Sequence, residues 1–182
     1  EYLLYLGGFD RRKNIPELLQ AYVAARATQG EMPPLVIAGK LPAQDTLFTP
    51  HPRHLAQELG LGPYIHFTGW VEEEDKPALY AGARAFLFPS RYEGFGLPVL
   101  EAISCGTPAI VASGSSLEEV AGEAALIVPP NDISALAEAI VRIVVDEETH
   151  TRLALAAPAQ AARFSLREMA LKTLQAYAEA LL

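Results

Sequence analysis

A doubly wound α/β domain with about six parallel strands and a helical C-terminal tail is the fold class that three features of the sequence predict. Short apolar runs alternate with longer amphipathic stretches, most of the runs stop at a glycine or proline, and beyond Pro129-Pro130 the pattern is wholly helical. Taken in order, the first run is Tyr2 to Leu6, ended by Gly7-Gly8. Asn14 is the expected N-cap of the next helix, with Glu17 at the reciprocal capping-box position and Ile15, Leu18, Leu19, Tyr22 and Val23 at helical spacing. A second strand covers Leu35 to Ala38 and stops at Gly39. The segment from Lys40 to Pro52 holds three prolines and little periodicity, which predicts a long irregular loop of the kind that is often functional.

A helix is expected from about Arg53 to Leu59, a strand at Tyr64 to Phe67 closed by Thr68-Gly69, a helix from Lys76 to Ala81 and a strand at Ala85 to Phe88. The turn from Pro89 to Pro98 is rich in glycine and proline. The helix after it begins near Leu97 and Pro98, since proline is tolerated in a first turn, and ends at Gly106. Ala109 to Ala112 is the next strand. Ser116 and Glu119 form a capping box for a short helix, and Ala125 to Val128 is the last strand. Asp132 opens a helix through about Val145, a further one covers Glu147 to Ala162, and Ser165 with Glu168 caps a terminal helix running to Leu182.

Composition narrows the function classes. With 182 residues, 51% hydrophobic and 20% charged, the chain suits one domain with its own core and not a disordered segment. Fourteen basic residues against 22 acidic ones, a net charge of -8 and no long Lys/Arg run remove the electrostatic footprint of non-specific nucleic-acid binding. The one cysteine, Cys105, makes neither an internal disulfide nor a Cys-rich zinc site, so the chain reads as intracellular and cytoplasmic. No apolar run reaches the ~18 to 20 residues of a membrane span, and the start lacks the charged region of a signal peptide. Position 1 is Glu, directly inside an apolar run, which suggests a piece of something longer.

In a sheet of this kind ligands lie outside the carboxyl ends of the strands, so the residues after each strand are the candidates. After the first comes Gly7-Gly8-Phe9-Asp10-Arg11-Arg12-Lys13-Asn14, three consecutive cations beside a helix N-terminus in an otherwise acidic chain. Unpaired amides and guanidinium or ammonium groups together favour phosphate oxygens; a solvated charged turn is the plain alternative. The G-x-G-x-x-G dinucleotide spacing and the Gly-Lys-Ser/Thr of a P-loop are both missing. After the fourth strand comes Arg91-Tyr92-Glu93-Gly94-Phe95-Gly96-Leu97-Pro98-Val99-Leu100-Glu101, with two carboxylates eight residues apart across a glycine turn. A carboxylate accepts two hydrogen bonds and so matches neighbouring hydroxyls of a sugar or ribose, and glycine lets backbone amides approach a charged ligand. The plain alternatives are an exposed turn carboxylate for Glu93 and a complement to the helix dipole for Glu101.

The block from Glu93 to Glu101, continuing Ala102-Ile-Ser-Cys-Gly106-Thr-Pro108, resembles the Glu-x7-Glu donor-site motif of retaining glycosyltransferases of the GT-B fold, group 1 (family 4). Tyr5-Leu-Gly7 with Arg12-Lys13-Asn14, Phe67-Thr-Gly-Trp-Val71 and Ser115-Ser-Leu-Glu-Glu119 are similar to segments of that family in the same order, so the likeness covers the whole chain. It implies two Rossmann-like domains facing a cleft, with this chain as the C-terminal, nucleotide-sugar-binding one and the N-terminal acceptor domain missing from it. It further implies that Glu93 contacts donor-sugar hydroxyls as the catalytic residue and that Glu101 holds the ribose. Gly94, Phe95, Gly96, Leu97, Pro98 and Val99 would offer amides to sugar and diphosphate, and Lys13 with Arg12, Gly7 and Gly8 would bind the diphosphate. Gly8 departs from the family, many members of which carry an arginine there; Arg12 is the candidate to replace that charge. The backbone at Gly39, Trp70 and Val71 would border the nucleobase.

Members of this fold generally transfer without a metal, and no cofactor is expected. His51, His54, His66 and His150 stand at no zinc-ligand spacing and read as surface or strand histidines, and Cys105 as core packing. Trp70 could stack on a base or be buried at a strand end. The implied activity is transfer of a hexose from a nucleoside diphosphate sugar to a glycan or lipid acceptor, with retention, in carbohydrate biosynthesis. The Arg-Lys-Asn loop resembles mannosyltransferase-like members, which favours GDP-mannose slightly over UDP-sugars, and peripheral membrane contact by a longer protein is open. The alternatives are a non-catalytic sugar-nucleotide-binding module and a related GT-B sugar-nucleotide epimerase or glucan phosphorylase, the last lacking a recognisable pyridoxal phosphate lysine context.

Overall fold

The computed structural model describes residues 1–180. Six parallel strands, β1 (Tyr2–Leu6), β2 (Leu35–Ala38), β3 (Ile65–Gly69), β4 (Ala83–Phe88), β5 (Ala109–Ala112) and β6 (Ala125–Val128), form one sheet in the order β3-β2-β1-β4-β5-β6. Eight α-helices connect and cover them: α1 (Ile15–Gln29), α2 (Pro52–Glu58), α3 (Lys76–Ala81), α4 (Leu97–Ser104), α5 (Ser116–Ala121), α6 (Ile133–Val145), α7 (Glu147–Ala161) and α8 (Leu166–Ala180). The expected end of the last helix, Leu182, lies outside the described residues. Helices α1, α2 and α6 pack on one face of the sheet, and α3, α4, α5 and α7 on the other. The fold class is the one the sequence predicts.

Burial explains why the central strands read as unbroken apolar runs. Leu3 to Leu6, all of β2, Ala85 to Phe88 and all of β5 are buried, because helices cover both faces of a parallel sheet. The edge strand β3 alternates instead, with Ile65 in and His66 out. Tyr5, Phe88 and Phe86 stack in sequence along the core, at 5.9 and 5.5 Å between centroids, and Tyr80 meets Phe86 edge-on at 5.3 Å. Each such pair contributes roughly 0.5–1.5 kcal/mol beyond the area it buries.

Several local expectations fail for a physical reason. Asn14 takes a left-handed conformation (φ 63°) and caps nothing; its Oδ1 accepts from Arg91 Nε at 2.9 Å, and Glu17 binds the Arg91 and Arg11 guanidinium groups. Pro16 in the first turn of α1 has no amide to be capped, so the side chains are free for tertiary partners. At α5 the cap is Ser115, whose Oγ accepts from the Leu117 amide, while Glu119 is exposed. Ser116 turns the other way: its hydroxyl lies 2.8 and 2.9 Å from the carbonyl oxygens of Glu93 and Phe95, and its single hydrogen serves one at a time. β4 begins two residues before the expected Ala85, because Arg84 interrupts the apolar run. Its buried guanidinium donates to the carbonyls of Ile143 and Val144 at the end of α6 and to Glu147. Asp132 does cap α6, accepting from the Ala135 amide at 2.9 Å, and the Glu168 amide points at Ser165 Oγ at 3.4 Å.

The terminal helix α8 buries none of its described residues and leaves Leu166, Met169, Leu174 and Tyr177 exposed. Among the described residues no helix is long and apolar enough to cross a membrane.

Two backbone constraints set the ends of β1, β2 and β4. Gly39, at φ 138°, donates its amide to the Gly69 carbonyl at 2.8 Å, and a Cβ there would lie 2.2 Å from the Gly7 carbonyl oxygen. Gly96, at φ 103°, lets α4 start against Leu117, whose Cδ2 would lie 2.6 Å from an added Cβ. Gly39→Ala is therefore expected to lower unfolding free energy by at least about 2 kcal/mol. A urea midpoint equal to that of the parent chain would contradict this contact. Ser116→Ala is expected to cost about 1–2 kcal/mol and to speed amide exchange from Glu93 to Gly96. Unchanged exchange over that turn would mean that the hydroxyl does not anchor it.

Candidate functional site

β1 and β4 are neighbours, yet the chain leaves β1 toward β2 on one side and β4 toward β5 on the other. The loops after them therefore diverge, and the crevice between their carboxyl ends is where ligands lie in sheets of this topology. Polar contacts close its base. The Arg91 amide donates to the Arg12 carbonyl at 2.8 Å, and the Arg91 side chain reaches Asn14 and Glu17, both at 2.9 Å. Above this junction Lys13 Nζ donates to Glu93 Oε1 at 2.5 Å, with the two side chains only 12% and 11% exposed.

The cations do not act as one cluster. Arg11, Arg12 and Lys13 form a short 3-10 turn, which points successive side chains in different directions. Arg11 turns to Glu17 at 3.3 Å. Arg12 lies between Asp10, at 2.9 Å, and Glu93, at 3.9 Å, and half its side chain is exposed. Lys13 alone is well sheltered, its ammonium 5.0 Å from the centre of the Phe88 ring. Beneath it the Tyr5 hydroxyl donates to the Gly8 carbonyl and so fixes the glycine turn. Burial, then the Asp10 and Glu93 carboxylates, push the Tyr5 hydroxyl well above its ordinary pKa, and it remains a donor.

Two cavities are lined by residues that follow the strands. One, of about 200 Å³, is lined by Leu6, Gly7, Gly8, Gly39, Lys40, Trp70, Val71 and Lys76. Five of these are sequence candidates brought together from three separate βα loops, and Trp70 is 63% exposed at the rim rather than buried at its strand end. The other, of about 370 Å³, is lined by Glu101 with Glu73, Lys76, Pro77, Tyr80, Leu97, Leu100, Ser104 and Cys105. Lys76 borders both. The amides of Gly94, Phe95, Gly96 and Leu97 make no backbone–backbone hydrogen bond among the described residues and stay available. Pro98 offers no amide, Val99 is buried with its amide on the Gly96 carbonyl, and the Phe95 ring packs edge-on against Phe164 at 5.7 Å.

Sequence reasoning missed Lys76, Lys40, Tyr80 and Ser116. Lys76 carried a signal, as a lone cation after Glu72-Glu73-Glu74-Asp75 at the start of the helix that follows β3. Tyr80 and Ser116 carried none, since a tyrosine in an apolar helix and a serine at a helix start are ordinary. Cys105 is only partly buried and faces the larger cavity; burial, then the Glu101 carboxylate, push its thiol up, which disfavours the nucleophilic thiolate. His51 and His54 stack at 4.4 Å beside Asp45 in the long loop, and among the described residues no three His, Cys, Asp or Glu side chains are grouped to hold a metal ion. The structure offers a sheltered cation–carboxylate pair and amides without backbone partners at the crevice, and a second carboxylate in the larger cavity, groups that suit an anionic ligand rich in hydroxyls.

Known proteins share this architecture. The model of the family described as glycosyl transferases group 1 matches residues 1–160. O-antigen chain mannosyltransferase B of Escherichia coli is 38% identical over 176 residues, which are 97% of this chain and 45% of that protein. Sucrose-phosphate synthase from Thermosynechococcus elongatus superposes with a TM-score of 0.84 at 34% identity, covering 99% of this chain and 45% of that one. Anabaena HepE in complex with UDP and glucose superposes with a TM-score of 0.81 over 97% of this chain and 48% of that one; at 20% identity it shows the fold alone. The chain thus spans less than half the length of these relatives. By the family match over most of its length and the near-complete coverage at over a third identity, the chain belongs to the group 1 glycosyltransferases.

Proposed function

We propose that this chain is the C-terminal, donor-binding domain of a retaining glycosyltransferase that moves a hexose from a nucleoside diphosphate sugar to a glycan or lipid hydroxyl. The observation that carries the reading is the Lys13–Glu93 pair at the crevice between β1 and β4. Lys13 has two ammonium hydrogens left for diphosphate oxygens, and Glu93 has Oε2 left for sugar hydroxyls, so the pair can hold both halves of the donor at the bond that breaks. As that bond between the anomeric carbon and the diphosphate oxygen cleaves, negative charge grows on the leaving group. Lys13, Arg12 and the free amides of Gly94, Phe95, Gly96 and Leu97 would stabilise it there without a metal. The acceptor hydroxyl oxygen joins the anomeric carbon and gives up its proton to the departing diphosphate oxygen.

Gly7 and Gly8 let the diphosphate approach the backbone. Glu101 in the adjoining cavity holds the ribose, and Gly39, Trp70 and Val71 border the base, with Lys76 between the two cavities. A GDP-mannose donor is supported by the mannosyltransferase relatives and by the Arg12-Lys13-Asn14 loop. Retention follows the resemblance of the Glu93 to Glu101 block. The acceptor domain is taken to lie in the rest of a longer protein, as the relatives' greater length suggests, and the single cysteine supports a cytoplasmic setting.

Calorimetric titration of the chain with GDP, UDP, ADP and their sugars tests the site. Lys13→Ala is expected to weaken diphosphate binding about ten- to a hundredfold, the worth of a charge-assisted hydrogen bond. Glu101→Ala should weaken it about tenfold. If both substitutions leave every affinity unchanged, the assignment is wrong. The isolated chain is expected to transfer hexose only feebly, and robust turnover by these 182 residues alone would contradict a separate acceptor domain.

A further inference from the structure

Tyr80, in the last turn of α3, has no exposed surface. Its ring packs edge-on against Phe86, and its backbone carbonyl accepts from Thr107 Oγ1 at 2.7 Å. Those contacts belong to the core. The hydroxyl does something else: it donates to Oε2 of Glu101 at 2.8 Å, at the wall of the 370 Å³ cavity. A buried phenol needs an acceptor, and a backbone carbonyl would serve; here the acceptor is a cavity-lining carboxylate. Burial first, then the Glu101 carboxylate, push the Tyr80 hydroxyl above its ordinary pKa, so it donates throughout the working pH range.

The consequence falls on Glu101. A glutamate at a cavity wall samples several rotamers, and ordering it to bind a ligand costs side-chain entropy. With Oε2 held by a rigid ring, that ordering is done before the ligand arrives. Oε1 and the second lone pair of Oε2 stay open, the pair of acceptor sites that two adjacent hydroxyls require.

We infer that Tyr80 is a positioning residue that makes the cavity selective for a ribonucleotide over its 2′-deoxy form, by pinning Glu101 so that it accepts from both ribose hydroxyls at once. This rests on the assignment of Glu101 to the ribose. An unpinned carboxylate swings to meet one hydroxyl as readily as two, so loss of the pin costs affinity for the ribonucleotide and spares the deoxynucleotide.

The test is calorimetric titration of the chain with GDP and UDP, each beside its 2′-deoxy form, for the parent, Tyr80→Phe, Glu101→Ala and the double variant. Phenylalanine keeps the ring and its packing. The parent is expected to prefer the ribonucleotide about tenfold, and Tyr80→Phe to reduce that preference about three- to fivefold with deoxynucleotide affinity nearly unchanged. In the Glu101→Ala background Tyr80→Phe should change nothing further, because the tyrosine acts through the carboxylate. An unchanged preference in Tyr80→Phe, or an equal loss for both nucleotide forms with or without Glu101, overturns the inference. Glu101→Gln gives a second check that does not depend on altering the core. The buried hydroxyl claims the one carbonyl oxygen and turns the amide hydrogens to the cavity, where they donate to a hydroxyl oxygen but cannot accept from both hydroxyls, so the preference should fall clearly below the parent's; a parent-like preference overturns the inference. A parent chain that binds but whose preference survives Glu101→Ala removes the ribose assignment itself, and the inference with it.

Discussion

The backbone hydrogen bond from Arg91 to Arg12, with the Arg91 guanidinium locked onto Asn14 and Glu17, joins two loops that leave neighbouring strands for opposite sides of the sheet. A parallel sheet that reverses its winding direction necessarily opens a crevice at that point, because the two departing chains cover different faces. The junction ties the two loops together at the base of that crevice. Lys13 and Glu93 lie within two residues of its members Arg12, Asn14 and Arg91.

Electrostatics then decides what the crevice can hold. The chain is acidic as a whole, and among the described residues half of its fourteen Lys and Arg side chains are engaged by carboxylates, including Arg11 by Glu17, Arg84 by Glu147 and Lys76 by Glu73. At the crevice Lys13 and Glu93 are sheltered enough for their desolvation to offset much of their mutual attraction, so the pair is poor evidence of a stabilising role. What it does provide is a cation and an acceptor held in register over an aromatic floor of Phe88 and Tyr5. Such preorganisation suits a ligand with both an anionic and a hydroxyl-bearing part.

Glycine and serine do the fine placement. Gly39 lets β2 end against the Gly7 carbonyl, which draws the loop carrying Trp70 and Val71 toward the first glycine turn through the Gly69 contact. Gly96 lets α4 begin against Leu117, and Ser116 fastens the Glu93 turn from the other side. The larger cavity lies between α3 and α4, whose packing brings the Tyr80 hydroxyl onto Glu101.

Period and punctuation alone determined the strand count, the alternation with helices and the placing of the candidates after β1, β2, β3 and β4, since burial on both faces imposes long apolar runs and each crossover needs a turn. The chemistry proposed for the site was also legible, because Glu93, Glu101 and Lys13, the residues proposed to carry it, are recognised by side-chain type and spacing. Only the tertiary structure decided how those side chains pair. Arg84 falls outside the strand expected from the sequence, because the partners that accept its charge lie some 60 residues away. Asn14 and Ser116 were read as caps because local sequence offers each a nearby amide, whereas the folded chain offers Asn14 a guanidinium 77 residues on and Ser116 two carbonyls from the preceding turn. A short polar side chain has several hydrogen-bonding options of similar worth, and the choice among them is made by whatever long-range contact the fold has already brought within reach.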